Sequence, residues 1–380
     1  MSRLVASSSS SHISTHPASV EAYIGKSQIE LHPHPKRVNF LQWAHRTDVG
    51  QLKHHPSVDD AMTEYQTCAA NDGCTIAFQT SQPLTQVAQD APNQNQVIML
   101  MHGFSGSSEY FVRNFESLSK RYWVVAPDMR GHGRSGRCEG GYHVSRLAMD
   151  LENLIAHLRR ATGNESLQIV PVGCSIGAAV LWTHVELFGK SPNIAGFVFV
   201  DQAPLQDRSP LFGWDAANAH KGLYDEKTML GAQKAWMESQ HDAAIGLVGE
   251  CLGYRNQPLD TDSVSAEDAK RDEEFFVAIS DQCDGRWLAR LIADHTRFDH
   301  REAIERIAVP CLVMAGQRSG CFSVEGMTET ARRAREGDGM DEKVFVEVFE
   351  SGHWLFYEQA ERFNACLLKF ADEAFQLAAT

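Results

Sequence analysis

Alternation between short apolar segments and longer amphipathic segments constrains the fold of this 380-residue chain more than any other feature. Short segments rich in Val, Ile and Phe are typical of buried strands, and here they recur between stretches with helical spacing. Strands that are apolar on both faces form a mostly parallel sheet covered by helices on each side. The sequence therefore predicts an α/β fold with such a central sheet. The predicted strands are 96–102, 122–128, 167–173, 194–201, 310–316 and 343–350.

A hairpin is predicted ahead of this region. The segment 62–80 alternates polar and apolar residues and carries Asn71, Asp72 and Gly73 between two strand-like pieces, which is typical of a tight turn. Helices are predicted where apolar residues recur three and four positions apart, because that spacing places them on one helical face. These predicted helices lie within 145–162, 176–189 and 362–375.

Two regions depart from this pattern. Residues 1–59 are rich in Ser, His and Pro and lack the continuous apolar stretch of a secretory signal, so we expect a flexible or loosely packed extension. Residues 205–304 look helical and contain no buried-strand pattern, yet the strands resume at Pro310. We therefore expect a single core, formed by 60–204 and 305–380, with residues 205–304 inserted as a helical cap.

The charge of the chain narrows the class of partner. Its net charge is -14, which argues against nucleic acid or an anionic membrane surface as the main partner. The longest apolar runs are too short to span a bilayer. A small-molecule substrate is the expected partner, and the sequence does not indicate an oligomeric state.

The nine cysteines bear on the compartment. Their number is odd, no C-x-x-C occurs, and several, such as Cys311 and Cys366, stand in apolar segments. Buried reduced thiols therefore fit better than a disulfide framework or a zinc site. Because disulfides are rare in the reducing cytosol, the sequence predicts a cytoplasmic protein.

The segment VPVGCSIGAAV follows a predicted strand, opens a predicted helix and carries the strongest chemical signal. Its G-x-S-x-G core places Ser175 on a sharp turn, where Gly173 and Gly177 remove the Cβ atoms that would collide. Such a turn raises the hydroxyl above the carboxyl edge of the sheet, where open α/β folds bind ligands. Ser175 is therefore the predicted nucleophile, and Cys174 is expected to point into the core.

A second loop supplies candidate hydrogen-bond donors. The segment IMLMHGF is a strand that ends in His102, Gly103 and Phe104, and Gly103 allows the backbone to turn so that the Phe104 N–H faces the nucleophile. The N–H of Ile176 stands at the start of the helix after Ser175, where free N–H groups favour negative charge. Phe104 and Ile176 are therefore the predicted oxyanion-hole residues.

Four motifs stand in an order and spacing that resembles the α/β-hydrolase superfamily: HGFSG, VVAPDMRGHGRSG, GCSIG and SGHWLFYEQAERF. The resemblance covers residues 60–204 and 305–380, and the insertion falls where that family places a lid. The stretch FVFVDQAPLQ further resembles a group of largely uncharacterised fungal members. The resemblance also implies structural roles for four polar residues, His102, Asp128, Arg130 and His132.

The predicted base is His353. It follows the strand KVFVEVFE through Ser351 and Gly352 and precedes the last amphipathic helix, where a base is needed. A neutral imidazole there would take the proton of Ser175 and return it to the leaving group.

The carboxylate that should orient this histidine is missing from its usual place. In the family it follows the strand matched here by CLVMAG, as G-x-x-D, whereas this chain has Gly316-Gln317-Arg318-Ser319. Asp201 is the predicted substitute, since it ends the strand FVFVD, where some α/β-hydrolases carry their acid. Parallel strands present their carboxyl ends on one rim, and an Asp after five apolar residues needs a partner if it is buried.

Other acids stay open as alternatives. Glu325 lies in what looks like the first turn of a helix with Ser323 as its N-cap, so a structural role already explains it. A dyad with no acid is a further alternative. Four acidic residues of the late cap are also candidates: Asp281, Asp284, Asp294 and Asp299.

These residues predict a serine hydrolase that cleaves an ester, lactone or thioester through an acyl-enzyme, with no metal or organic cofactor. Two other functions stay open. One is C–C hydrolysis, lyase or cofactor-free oxygenase chemistry on the same scaffold, in which Ser175 only positions the substrate; the other is a non-catalytic binding module. The cap would offer apolar surface to a lipophilic small molecule through Phe212, Trp214, Tyr224, Trp236 and Trp287.

Overall fold

Eight strands form one central sheet. The computed structural model describes residues 64–84, 95–257, 264–337 and 339–379, so the predicted extension at 1–59 lies outside the described residues. Every strand predicted from the sequence is present within two to three residues of its expected bounds. In chain order the strands are β1 (Glu64–Ala69), β2 (Thr75–Thr80), β3 (Gln96–Met101), β4 (Trp123–Pro127), β5 (Gln168–Cys174), β6 (Phe197–Val200), β7 (Cys311–Gly316) and β8 (Val344–Phe349).

The strand order across the sheet is β1-β2-β4-β3-β5-β6-β7-β8. β2 runs antiparallel to β1 and to β4, and the predicted hairpin turn lies between β1 and β2. All pairs from β4 to β8 are parallel. The predicted α/β fold with a mostly parallel sheet is therefore confirmed.

The sheet separates two hydrophobic cores, as the continuous apolar strands require. In β3, Ile98 and Leu100 point into one core, whereas Val97 and Met99 point into the other. This alternation follows from the two-residue period of a strand.

Helices cover both faces of the sheet. The amphipathic helix α2 and the largely buried helix α3 pack in one core, and α1 and α12 pack in the other. Within the described residues, no helix has the length and apolar character needed to cross a bilayer. The helices are α1 (Phe115–Ser119), α2 (Val144–Thr162), α3 (Ile176–Phe188), α4 (Glu226–Glu238), α5 (Gln240–Cys251), α6 (Gly253–Asn256), α7 (Ala266–Asp281), α8 (Gly285–Arg297), α9 (Arg301–Ile304), α10 (Val324–Ala334), α11 (Leu355–Glu358) and α12 (Ala360–Ala378).

The parallel strands bring the candidate residues to one rim. Cys174 of β5 pairs with Val200 of β6, and Val200 pairs with Met314 of β7. The residues that follow β5 and β6, Ser175 and Asp201, therefore leave the sheet side by side. This rim lies at the carboxyl ends of the strands, where open α/β sheets bind ligands.

The insertion between β6 and β7 is helical, as its composition predicts. Helix α4 packs against α8, and α5 packs against α7. Trp214 and Trp236 are buried, Trp287 stacks on Tyr142 with ring centroids 4.3 Å apart, and Phe212 is exposed. Most of the cap aromatics thus serve packing. That the cap acts as a lid stays a prediction.

One pair of cysteines contradicts the prediction of reduced thiols. Cys74 and Cys138 form a disulfide with their Cα atoms 6.2 Å apart. The loop before Cys138 folds back on the start of β2, where the Gly136 N–H donates to the Thr75 carbonyl at 2.7 Å. This approach joins residues 64 positions apart in sequence, so residue spacing alone does not reveal it. The other seven cysteines are free.

The hydrogen bonds of Asp128 stabilise the loop after β4, and a substitution can test their contribution. Its buried carboxylate accepts from the Ser108 N–H at 2.7 Å and from the Arg134 N–H at 2.8 Å. Asp128→Asn should lower the free energy of unfolding by about 1.5–3 kcal/mol, because an amide NH2 group would face one of these donors. Urea denaturation measures the change. Glu116→Gln, at an exposed pair with Lys120, is the control and should change stability by less than about 0.5 kcal/mol; equal effects would contradict the role of Asp128.

Candidate active site

Ser175 stands on a strained turn between β5 and α3. Its φ of 53° and ψ of -123° lie outside the regions that most side chains adopt. A Cβ atom on Gly173 would lie 2.5 Å from the Ala178 nitrogen, and one on Gly177 would lie 2.8 Å from the Met101 carbonyl oxygen. Glycine is therefore required on both sides of Ser175, as its motif predicts. The neighbouring Cys174 is buried in the core, as expected.

Asp201 and His353 meet over the same rim. His353 Nδ1 donates to Asp201 Oδ1 at 2.5 Å, although 152 residues separate the two in sequence. Both side chains are buried, with Asp201 only 1% exposed. Asp201 has a φ of 47°, so the chain turns sharply as it leaves β6. The structure thus places the carboxylate beside the imidazole, where a base of this type needs one.

Ser319 supports the Asp201 carboxylate by a hydrogen bond. This residue occupies the position where the family pattern expects aspartate, and its Oγ donates to Asp201 Oδ1 at 2.8 Å. The Gly316 N–H donates to Asp201 Oδ2 at 2.7 Å. The end of β7 therefore supplies donors that hold the carboxylate in place, while β6 supplies the carboxylate itself.

Burial and charge act together on this pair. Burial raises the pKa of the Asp201 carboxyl above its ordinary value, although His353 and Ser319 oppose the rise. Burial alone would lower the pKa of His353, but the Cys321 sulfur and the Asp201 carboxylate outweigh it and raise that pKa. Asp201 therefore stabilises the imidazolium that forms when His353 accepts a proton.

Gln202 makes a polar contact with Ser175 that the sequence motifs do not predict. The Ser175 hydroxyl donates to Gln202 Oε1 at 3.4 Å, and Gln202 Nε2 donates to the Ala203 carbonyl at 2.9 Å. Among the described residues, no hydrogen bond joins Ser175 to His353. The only available signal was that Gln202 directly follows Asp201 at the end of a buried strand.

Comparison with known sequences identifies the family. A sequence model described as the alpha/beta hydrolase family matches residues 97–365, well over half of the chain. The chain belongs to the α/β-hydrolase family. Membership supports hydrolytic activity, because proteins named as hydrolases and esterases are among its relatives and structural neighbours.

Individual relatives are distant. The 2-(acetamidomethylene)succinate hydrolase of Mesorhizobium japonicum is 25% identical over 238 residues, which cover 62% of this chain and 76% of that protein. The AB hydrolase superfamily protein YisY of Bacillus subtilis is 20% identical over 78% of this chain and 98% of its own length. Identity at this level does not carry a substrate from one protein to another.

Solved structures agree on the fold. An esterase from Exiguobacterium antarcticum superposes with a TM-score of 0.65 at 17% identity, covering 80% of this chain and 98% of that one. The enol-lactonase of Burkholderia xenovorans superposes with a TM-score of 0.60 at 14% identity, covering 80% and 99%. These neighbours show that the α/β-hydrolase fold extends over the described core.

The alternative acids of this α/β hydrolase lie elsewhere. Glu325 is exposed in the first turn of α10, where Ser323 Oγ accepts from the Gly326 N–H at 3.0 Å and caps the helix. Within the described residues, none of the cap acids contacts His353. They pair instead with other groups: Asp281 with His241, Asp284 with Arg286, Asp294 with the Val144 N–H, and Asp299 with Arg301.

His102 has a structural contact pattern. Its Nε2 accepts from the Met129 N–H at 2.9 Å, and its Nδ1 donates to the Gly103 carbonyl at 2.8 Å. Burial lowers the pKa of His102 to about 4, so the ring stays neutral near pH 7. With both nitrogens engaged, His102 joins two loops and has no free nitrogen for a base.

The loop after β4 is tied to the rest of the core by Arg130. Its buried guanidinium pairs with Asp150 at 2.6 Å and with Asp72 at 2.9 Å. His132 Nδ1 contacts the Arg130 carbonyl oxygen at 3.0 Å. These contacts agree with the structural roles expected for Arg130 and His132.

The predicted oxyanion donors flank the nucleophile. A Cβ on Gly103 would lie 3.3 Å from Ser175 Cβ, so the Gly103-Phe104 backbone passes directly beside the serine. Ile176 is the first residue of α3, where backbone N–H groups have no partner within the helix. The assignment of Phe104 and Ile176 to an oxyanion hole stays a prediction.

The Asp201–His353 hydrogen bond can be observed directly by proton NMR. A short, charge-assisted bond should give a strongly downfield signal from the proton on His353 Nδ1. We expect Asp201→Asn to abolish this signal, because the carboxylate that deshields the proton is gone. The exposed Glu325→Gln variant is the matched control and should keep it. A signal that survives in Asp201→Asn would show that Asp201 is not the partner.

Proposed function

We propose that this α/β hydrolase cleaves an ester, lactone or thioester through an acyl-enzyme. In this proposal Ser175 is the nucleophile, His353 the general base and Asp201 the acid that orients it. The observation that carries the proposal is the 2.5 Å hydrogen bond between Asp201 and His353 on the rim where Ser175 occupies its strained turn.

The first step is proton transfer from the serine hydroxyl. With Nδ1 held by Asp201, Nε2 of His353 is the nitrogen left to accept the proton of Ser175. The hydroxyl must turn from Gln202 toward this nitrogen, and such contacts often tighten only when substrate binds. The serine oxygen then attacks the carbonyl carbon while His353 carries the proton.

The remaining steps restore the enzyme. The tetrahedral intermediate collapses, the bond to the leaving alcohol or thiol breaks, and His353 returns its proton to that group. A water molecule, deprotonated by the same imidazole, then attacks the acyl carbon. The bond to Ser175 Oγ breaks, His353 returns the proton to that oxygen, and the carboxylic acid leaves. Phe104 and Ile176 would donate their N–H groups to the oxyanion in both halves, each worth roughly 3–4 kcal/mol in comparable sites.

Two aromatic residues near Ser175 support an apolar substrate. The Phe104 ring packs edge-on against Trp236 of the cap with centroids 5.2 Å apart, and Phe104 follows Gly103, whose backbone passes beside Ser175. Trp214 and Trp287 are held elsewhere, by the Leu205 carbonyl and by the Tyr142 ring. Phe104 and Trp236 are therefore the aromatic residues proposed to meet a lipophilic small molecule.

One observation favours a second reaction type. Because the Ser175 hydroxyl donates to Gln202 and not to His353, the His353–Asp201 pair could act as base directly on the substrate while Ser175 only positions it. C–C hydrolysis, lyase or cofactor-free oxygenase chemistry on this scaffold would follow that course. Covalent labelling of the serine separates the two mechanisms.

Labelling with a fluorophosphonate probe tests the nucleophile. We expect the probe to label the wild type on Ser175. In a separate assay, an activated ester should release one equivalent of alcohol rapidly, because the acyl-enzyme accumulates. Ser175→Ala should not react, and His353→Ala and Asp201→Asn should react far more slowly. Glu325→Gln should behave as wild type. An unlabelled wild type would retire the acyl-enzyme mechanism, and normal labelling of Asp201→Asn would retire that acid.

The position of the proposed acid can be tested by moving the carboxylate from residue 201 to residue 319. Asp201→Asn should lower kcat by about 10⁴-fold, as for a triad whose acid is replaced by its amide. Adding Ser319→Asp should recover at least about tenfold of this loss, because Ser319 Oγ lies 2.8 Å from the atom that His353 contacts. Ester hydrolysis measures the recovery.

A matched control uses the nearby helix cap. Ser323→Asp in the Asp201→Asn background adds the same charge at a position that accepts from Gly326, where aspartate is an equally good N-cap. It should give no recovery. Equal recovery from both second substitutions would show that charge alone, and not the place of the carboxylate, restores activity.

A further inference from the structure

A cluster of two thiols and one imidazole lies beside the proposed active site. Cys251 ends α5 of the cap, Cys321 follows β7, and His353 follows β8. One ligand atom from each residue lies within 4.8 Å of the other two, and the two sulfur atoms are 4.0 Å apart. All three side chains are buried. The proposed hydrolysis uses only the histidine, so the thiols need another explanation.

We propose that Cys251, Cys321 and His353 bind a zinc ion, and that bound zinc inhibits the enzyme. Two thiolates and one imidazole, with a fourth position open to water, form a known ligand set for zinc. The binding goes beyond the proposed function, whereas the inhibition rests on it.

The distances suit this metal. Tetrahedral zinc with Zn–S bonds of about 2.3 Å places its two sulfur ligands about 3.8 Å apart. The observed 4.0 Å between Cys251 and Cys321 therefore needs only a small adjustment. Two thiolates also balance the charge of the divalent ion, so the occupied site adds no net charge to a buried region.

Asp201 prepares the histidine for a metal as well as for a proton. Metal-bound histidines usually donate their other ring N–H to a carboxylate, which fixes the ring and raises its basicity. His353 already donates from Nδ1 to Asp201 at 2.5 Å, so Nε2 is the nitrogen left for zinc. The proposed mechanism needs that same nitrogen for Ser175. Zinc and catalysis are therefore mutually exclusive.

The site also spans the cap and the core. Cys251 comes from the insertion, whereas Cys321 and His353 come from loops that follow core strands. The backbone already crosses this boundary here, because the Trp354 N–H donates to the Cys251 carbonyl at 3.4 Å. Bound zinc would add a stronger link at the same place and hold the cap against the core.

Two polar neighbours face the cluster. His220 Nδ1 accepts from the Gly222 and Leu223 N–H groups at 2.9 and 3.0 Å, and the ring is buried. The His220 ring interacts with the Cys321 sulfur, and burial raises the pKa of the neighbouring Glu250 carboxyl.

Cobalt titration of the metal-free full-length protein, with the Cys74–Cys138 disulfide intact, tests the binding. We expect one equivalent of Co²⁺ to bind with a thiolate-to-metal charge-transfer band and the visible spectrum of a tetrahedral ion. Cys251→Ser and Cys321→Ser should each lose thiolate intensity, and Asp201→Asn should weaken binding about 10–100-fold. Cys311→Ser, which alters a buried free thiol of β7 outside the cluster, is the matched control and should bind as wild type.

Inhibition is measured separately with zinc and an activated ester. Zinc should inhibit the wild type, a chelator should restore activity, and Cys251→Ser should need at least about tenfold more zinc for the same inhibition. Ser175→Ala should still bind cobalt, because Ser175 is not a ligand of the proposed zinc. The binding test therefore remains valid even if the proposed hydrolysis is not found. If a cysteine variant does not fold, stabilisation of the wild type by zinc in thermal unfolding gives the second measurement. Absence of the thiolate band, or its equal loss in Cys311→Ser, would overturn the site.

Discussion

The carboxylate of Asp201 joins three strand ends, and the candidate site depends on it. Asp201 follows β6, accepts from Gly316 and Ser319 at the end of β7, and accepts from His353 after β8. A buried carboxylate without such donors would be destabilising by several kcal/mol. The donors therefore serve stability and geometry together, since satisfying the charge also fixes the imidazole that faces the rim.

The serine at position 319 is what a relocated acid requires. An aspartate there beside Asp201 would bring two carboxylates within about hydrogen-bonding distance, and one of them would have to be protonated. Serine is small and uncharged, and it converts the old acid position into a donor for the new one. The loop after β7 thus contributes a hydrogen-bond donor to the candidate site, and Asp201 contributes the charge.

The sequence predicted the features that depend on short-range patterns. Apolar runs located the strands, and glycines beside Ser175 located the turn, because period and backbone sterics act over a few residues. The contact of Asp201 with His353 was predictable, since an acid after a buried strand needs a partner. The contact from Ser175 to Gln202, the Cys74–Cys138 disulfide and the approach of the cap thiols depend on how distant segments pack. Periodicity shows which face a residue occupies, but it does not show its partner.

Strained backbone conformations occur at the strand ends that form the candidate site. Of the four non-glycine residues with positive φ in the described chain, Ser105, Ser175 and Asp201 follow core strands and Phe212 lies in the cap. Such conformations persist only where the surrounding structure holds them. The same carboxylate fixes the Nδ1 side of His353, which both the proposed hydrolysis and the proposed zinc site require. The cap supplies one of the two thiols of the proposed zinc site, so the position of the cap would decide between the two proposed uses of the imidazole.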